Sequence, residues 1–93
     1  MTGLIYDTNA IPNKPMIVSE NLKLRSGENT YTQVLTVMEA GTRVEILELG
    51  KFEVIDDIGN YWMKVEVQAG AKDRDGKPIR EGTVGWCFGG YLE

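Results

Sequence analysis

The sequence predicts an all-β domain built as a small barrel or sandwich. Three observations predict it. From Ile17 onward, short apolar runs alternate with turn residues at close spacing. No stretch sustains an apolar period of 3.6 residues. An Asp75-Gly76 pair, a favoured hairpin turn, separates two segments whose apolar residues can be matched across it.

Residues 1–16 read as an arm. Leu4, Ile5 and Tyr6 are apolar and can be pinned on the body, but Asn9, Pro12, Asn13 and Pro15 interrupt the remainder, so extended or irregular chain is expected. Asn21 to Arg25 alternates as a strand does, and Ser26-Gly27-Glu28-Asn29 follows as a turn. Val34 to Met38 is apolar and partly β-branched, although Thr32 to Glu39 leaves room for one helical turn. Ala40-Gly41-Thr42 breaks the run before Arg43-Val44-Glu45-Ile46 alternates again. Phe52 to Ile55 is apolar, and Asp56 to Asn60 reads as another turn.

The last third allows a register to be written down. With Asp75 and Gly76 alone as the loop, Val67 lies opposite Val84, Val65 opposite Trp86 and Met63 opposite Phe88. Opposed residues share a face, so this pairing makes one face wholly apolar and gives Lys64, Glu66, Gly85 and Cys87 to the other. Trp86 and Phe88 then belong to the core. Trp62 is out of phase with Met63, Val65 and Val67, and projects from the wetter face. An indole there is either covered by a loop or left for a ligand.

Composition removes several function classes. The chain has 93 residues, enough for one domain with a modest core. Ten Lys and Arg against fourteen Asp and Glu give a net charge of -4, and the basic residues are scattered. A nucleic-acid partner is not expected, because such binders present clustered basic excess. With no histidine, neither a Ser-His triad nor a Cys/His metal cluster can be built. The single cysteine, Cys87, sits in an apolar run and reads as a structural thiol. No apolar run reaches membrane-span length, and the N-terminal segment lacks the basic and apolar regions of a signal peptide.

Asp73-Arg74-Asp75-Gly76 has the opening carboxylates of a calcium loop. Counted from Asp73, however, the sixth residue is Pro78 and the twelfth is Val84, where a glycine and a bidentate Glu belong. An Asp-Gly turn explains the motif without metal. Asp56 and Asp57, with Glu53 nearby, read as a solvated turn and not as an acid/base pair. Gly85 to Gly90 lacks the spacing and the lysine of a phosphate loop. No cofactor is implied. Arg25, between a strand and a turn, is suited to hold a loop carbonyl or a ligand carboxylate.

Four segments, in order, resemble the bacterial SH3-type domain family. Asn21-Leu22-Lys23-Leu24-Arg25-Ser26-Gly27 is similar to its opening, and Glu39-Ala40-Gly41-Thr42-Arg43-Val44-Glu45-Ile46-Leu47 to its small-residue turn and strand. Tyr61-Trp62-Met63-Lys64-Val65 resembles its tryptophan strand, and Thr83 to Leu92 its closing strand and final tyrosine-leucine. The resemblance covers Ile17 to Glu93, the expected domain. It implies an SH3-like, partly open antiparallel barrel of about five to seven strands. Two departures are visible: a lengthened connection over Lys51 to Asn60 and an extended C-terminal hairpin over Gln68 to Gly82.

The resemblance also implies a non-catalytic recognition or targeting module of an exported or envelope protein, and so an extracytoplasmic location. The implied ligand is a peptide or a cell-wall peptidoglycan component, held by backbone pairing and aromatic contact in a shallow groove. Trp62, Tyr61, Tyr31 and Tyr91 are the candidate groove residues, with Arg25 as a candidate for a ligand carboxylate. The alternative is a structural or oligomerising domain that packs on another domain of a parent protein, with Trp62 buried by the Lys51 to Asn60 loop or by a second copy.

Overall fold

The computed structural model describes residues 13–93. Six strands form one curled antiparallel sheet: β1 (Pro15–Ile17), β2 (Leu22–Arg25), β3 (Val34–Met38), β4 (Arg43–Ile55), β5 (Ile58–Val67) and β6 (Val84–Phe88). Their order across the sheet is β1-β4-β5-β6-β2-β3. A 3-10 turn, Gly89–Tyr91, follows β6. The sheet is a half-barrel of the SH3-like kind, all-β as expected. Among the described residues no helix is long and apolar enough to cross a membrane. Leu4 to Tyr6, the apolar part of the expected arm, lie outside the described residues.

Strand alternation builds the core. Leu22 and Leu24, Val44 and Ile46, and Met63, Val65 and Val67 point inward, joined by Val18, Met38 and Cys87. Intervening residues such as Lys23 and Arg43 face water. Val34 to Met38 is strand throughout, so the helical turn allowed over Thr32 to Glu39 does not form; pairing with β2 claims those residues instead.

β4 runs far past its partner β1 and bends at two register shifts, between Ile46 and Glu48 and between Leu49 and Phe52. Gly50 sits at the second shift. A Cβ there would lie 2.5 Å from a Trp86 ring carbon, so the ring can rest on the bend only because Gly50 has no side chain. The expected loop over Lys51 to Asn60 is in fact strand. β4 and β5 continue as a hairpin closed by Asp56 and Asp57, with φ of 52° and 65°. Two central residues with positive φ make the two-residue hairpin turn whose twist matches the strands.

β5 and β6 pair one residue away from the expected register. Glu66 lies opposite Val84, Val65 opposite Gly85, Lys64 opposite Trp86, Met63 opposite Cys87 and Trp62 opposite Phe88. The expected pairs Val67–Val84, Val65–Trp86 and Met63–Phe88 do not occur. The cause is the loop. Asp73 N–H donates to the Lys77 carbonyl (2.8 Å), leaving Arg74, Asp75 and Gly76 as three loop residues rather than two. Gly76 alone takes positive φ, +83°, as a turn followed by a left-handed glycine requires. The Asp73 carboxylate fixes this shape by accepting from the Asp75 and Lys77 amides, both at 2.9 Å.

A shift of one residue exchanges the faces of β6. Val67 is fully buried, whereas Val84 is 40% exposed. Cys87, expected on the wet face, is in the core, while Trp86 and Phe88, expected in the core, lie on the opposite face. The hairpin arm does not project. It folds along β3, where Glu39 N–H donates to Lys72 O and Arg74 N–H to Val37 O, each at 3.0 Å. The edge of β3 is thereby covered.

Candidate functional site

Trp62 lies on the sheet face opposite Met63, Val65 and Val67, as strand alternation in β5 demands. It is not left in water. The ring is 2% exposed, and its Nε1–H donates to Glu53 Oε1 at 2.7 Å. Glu53 comes from β4 across the hairpin, so the strand extension that replaced the expected loop supplies the partner that a buried indole needs.

Phe88 meets Trp62 edge-to-face with ring centroids 5.9 Å apart, and Tyr91 meets Phe88 in the same way at 6.1 Å. Such geometry sets the positive ring edge against the negative ring face. The 3-10 turn after β6 is what returns Tyr91 over Phe88. Gly89 and Gly90 permit this close turn: a Cβ on Gly90 would lie 2.7 Å from the Phe88 ring. The Tyr91 hydroxyl then donates to Asp56 Oδ2 at 2.6 Å, joining the C-terminal turn to the tip of the β4–β5 hairpin.

These rings floor one end of an open groove of about 290 Å³. Glu20 to Lys23 and Arg25 form its β2 side, Ile55 and Asp56 the hairpin side, and Thr30 reaches it from the β2–β3 loop. The Arg25 guanidinium donates through Nη1 to the Thr32 carbonyl at 2.9 Å, so it braces that loop while lining the groove. Tyr91, partly exposed, has its pKa pushed up to about 12, first by the hydrogen bond to Asp56, then by desolvation and by the charges of Asp56 and Glu20. Its phenol is therefore neutral at physiological pH.

The structure brings Trp62, Tyr91 and Arg25 to this one groove. Tyr61 and Tyr31 lie elsewhere. Tyr61 is on the opposite face, packed on the core and edge-to-face with Phe52 at 5.4 Å. Tyr31 is 95% exposed on the β2–β3 loop, which Thr32 Oγ1 pins by donating to Gly27 O and Asn29 O. Asp56, Glu20 and Phe88 line the groove without having been expected there. Asp56 reads in sequence only as part of a solvated turn, and its bond to Tyr91 spans 35 residues.

A larger concavity of about 560 Å³ runs beside β1, lined by Pro15, Ile17, Arg43, Glu45 and Gln68 among others. It has no aromatic side chain in its lining, unlike the smaller groove. Among the described residues no cluster of His, Cys, Asp and Glu is suited to a metal ion.

No curated protein and no solved structure matches the chain. The family model of the bacterial SH3 domain matches residues 20–93, from the start of the groove through the closing Tyr91-Leu92. The chain belongs to the bacterial SH3 domain family, whose members are generally non-catalytic binding or targeting modules.

Proposed function

We propose that this domain recognises an extended peptide, of the kind found in cell-wall peptidoglycan, in the groove floored by Trp62, Phe88 and Tyr91. The observation that carries the reading is a concave surface underlain by an edge-to-face series of three rings, with Trp62 and Phe88 buried beneath it and Tyr91 partly exposed. The partly exposed Tyr91 ring offers contact area at low entropic cost, on a floor held rigid by the two buried rings. Arg25 and Lys23, on the β2 side, supply donors for ligand carbonyls or carboxylates. Tyr31, held out by a rigid loop beyond Thr30, adds contact for a longer ligand, and Tyr61 supports the hairpin from behind. The family setting favours an extracytoplasmic location in an exported protein.

Titration of muropeptides into ¹⁵N-labelled protein tests the reading. The Trp62 indole and the Tyr91 and Arg25 amides are expected to shift together. Unchanged spectra at millimolar ligand overturn it.

Two observations favour a second reading, a packing or oligomerising role: Trp62 is buried and bonded to Glu53 of the Lys51 to Asn60 segment, and the hairpin exposes apolar side chains. Phe52 and Val54 are 57% and 61% exposed on the β4–β5 hairpin, on the same face as Tyr61. A concentration-dependent sedimentation coefficient, lost in Phe52→Ser, would establish it.

A further inference from the structure

We infer that the Tyr91 end of the groove is an ammonium subsite, where Asp56 and Glu20 take a primary amine carried by the peptide ligand. This inference rests on the peptide-binding reading and specifies its charge chemistry.

Two carboxylates meet the aromatic floor at that end. Asp56 is at the hairpin tip, and one of its oxygens accepts from Tyr91 at 2.6 Å, which orients the carboxylate along the ring. Glu20 arrives from the other side. Ser19 N–H and Ser19 Oγ both donate to the Tyr91 carbonyl at 2.9 Å, so the next residue is held beside the tyrosine. The Asp56 hydrogen bond raises the Tyr91 pKa first, followed by desolvation and then by the charges of Asp56 and Glu20.

Among the described residues no ion pair neutralises these two carboxylates; the one ion pair joins Lys51 to Glu53. Of the two cations that line the groove, Lys23 lies on β2, three residues beyond Glu20, and pairs with neither carboxylate. Arg25 is farther still and holds Thr32. The groove is therefore polarised, anionic at Tyr91 and cationic along β2. A cation over an aromatic ring is favoured by the ring's negative face, and a charged hydrogen bond to Asp56 adds to that. A primary ammonium, with three donors on a compact head, can reach the second Asp56 oxygen, Glu20 and the ring at once.

The probes are N-acetyl-Ala-Ala-Lys-amide, whose one charge is the side-chain ammonium, and the same peptide with that nitrogen acetylated. Binding is followed on the full chain by amide and indole shifts. Acetylation is expected to weaken binding about tenfold, the scale of a charge-assisted hydrogen bond. Asp56→Asn keeps an acceptor for Tyr91 and tolerates positive φ, so the hairpin is retained. It should bring the amine probe down to the affinity of the acetylated one. Glu20→Gln, on an exposed residue, should act in the same direction. Equal binding of the two probes at the groove overturns the ammonium subsite while the peptide groove survives. No shift at Trp62 or Tyr91 with either probe at 10 mM, a concentration set by the weakest affinity of interest, overturns both.

Discussion

The Trp62 indole and the Glu53 carboxylate meet at 2.7 Å on the face of the sheet turned away from the main core. Trp62 is nearly inaccessible, so its N–H depends on this one acceptor. Removing the acceptor leaves a desolvated donor. Glu53→Leu is expected to cost about 1–3 kcal/mol in urea unfolding, and Glu53→Gln clearly less, because an amide oxygen still accepts. The Lys51–Glu53 ion pair at 4.0 Å is too exposed to account for such a loss. A Glu53→Leu midpoint equal to wild type would show that Trp62 is satisfied in another way.

The Tyr91–Asp56 bond makes a prediction about pH. The folded-state pKa is raised to about 12 from an ordinary 10.0, so the neutral phenol is the form that folding favours. The contribution is complete below pH 10 and is lost as pH rises through 12. Spectrophotometric titration should show one tyrosine ionising late, and Tyr91→Phe should remove that step. The difference in stability between wild type and Tyr91→Phe should narrow across the same window. A late step that persists in Tyr91→Phe would assign it to another tyrosine.

The β5–β6 register can be tested by a pair of matched substitutions. Val67→Thr places a hydroxyl in the core and is expected to cost about 2 kcal/mol. Val84→Thr, on the half-exposed opposite face, should stay within about 0.5 kcal/mol of wild type. Equal costs would restore the pairing of these two valines.

Cys87 is fully buried, and burial pushes its thiol up to about 12. It should resist iodoacetamide at pH 8, a condition under which an ordinary thiol reacts readily, and be modified at once in denaturant. Fast labelling of the folded protein would place it outside the core. Cys87→Ser is expected to destabilise by about 1–3 kcal/mol through its buried hydroxyl.

Alternation within a strand depends on local geometry alone, and for that reason the face of Trp62 was legible in the sequence. So were the inward Leu24, Val44 and Ile46. Register between strands is another matter. It hangs on a loop whose length is decided by two hydrogen bonds that the Asp73 carboxylate accepts from backbone amides, and a change of one residue moved Trp86, Cys87 and Phe88 to the faces opposite those expected. In sequence the Lys51 to Asn60 segment resembles a loop because Asp56-Asp57 is a weaker hairpin signal than Asn-Gly. The acidic end of the groove was invisible for a third reason. It is assembled from Glu20, Asp56 and Tyr91, which only the finished sheet brings together.

The two ends of the described chain are laced to each other. Ile17 N–H donates to Glu93 O, Glu93 N–H donates to Ile17 O, and Val18 bridges Leu92 in antiparallel sense. In that arrangement the incoming and outgoing polypeptides leave side by side and point the same way. Tension applied between them peels these contacts one after another instead of loading them all together. Force carried between the two ends is therefore borne at the Ile17–Glu93 seam and passes into the Gly89–Tyr91 turn beside it.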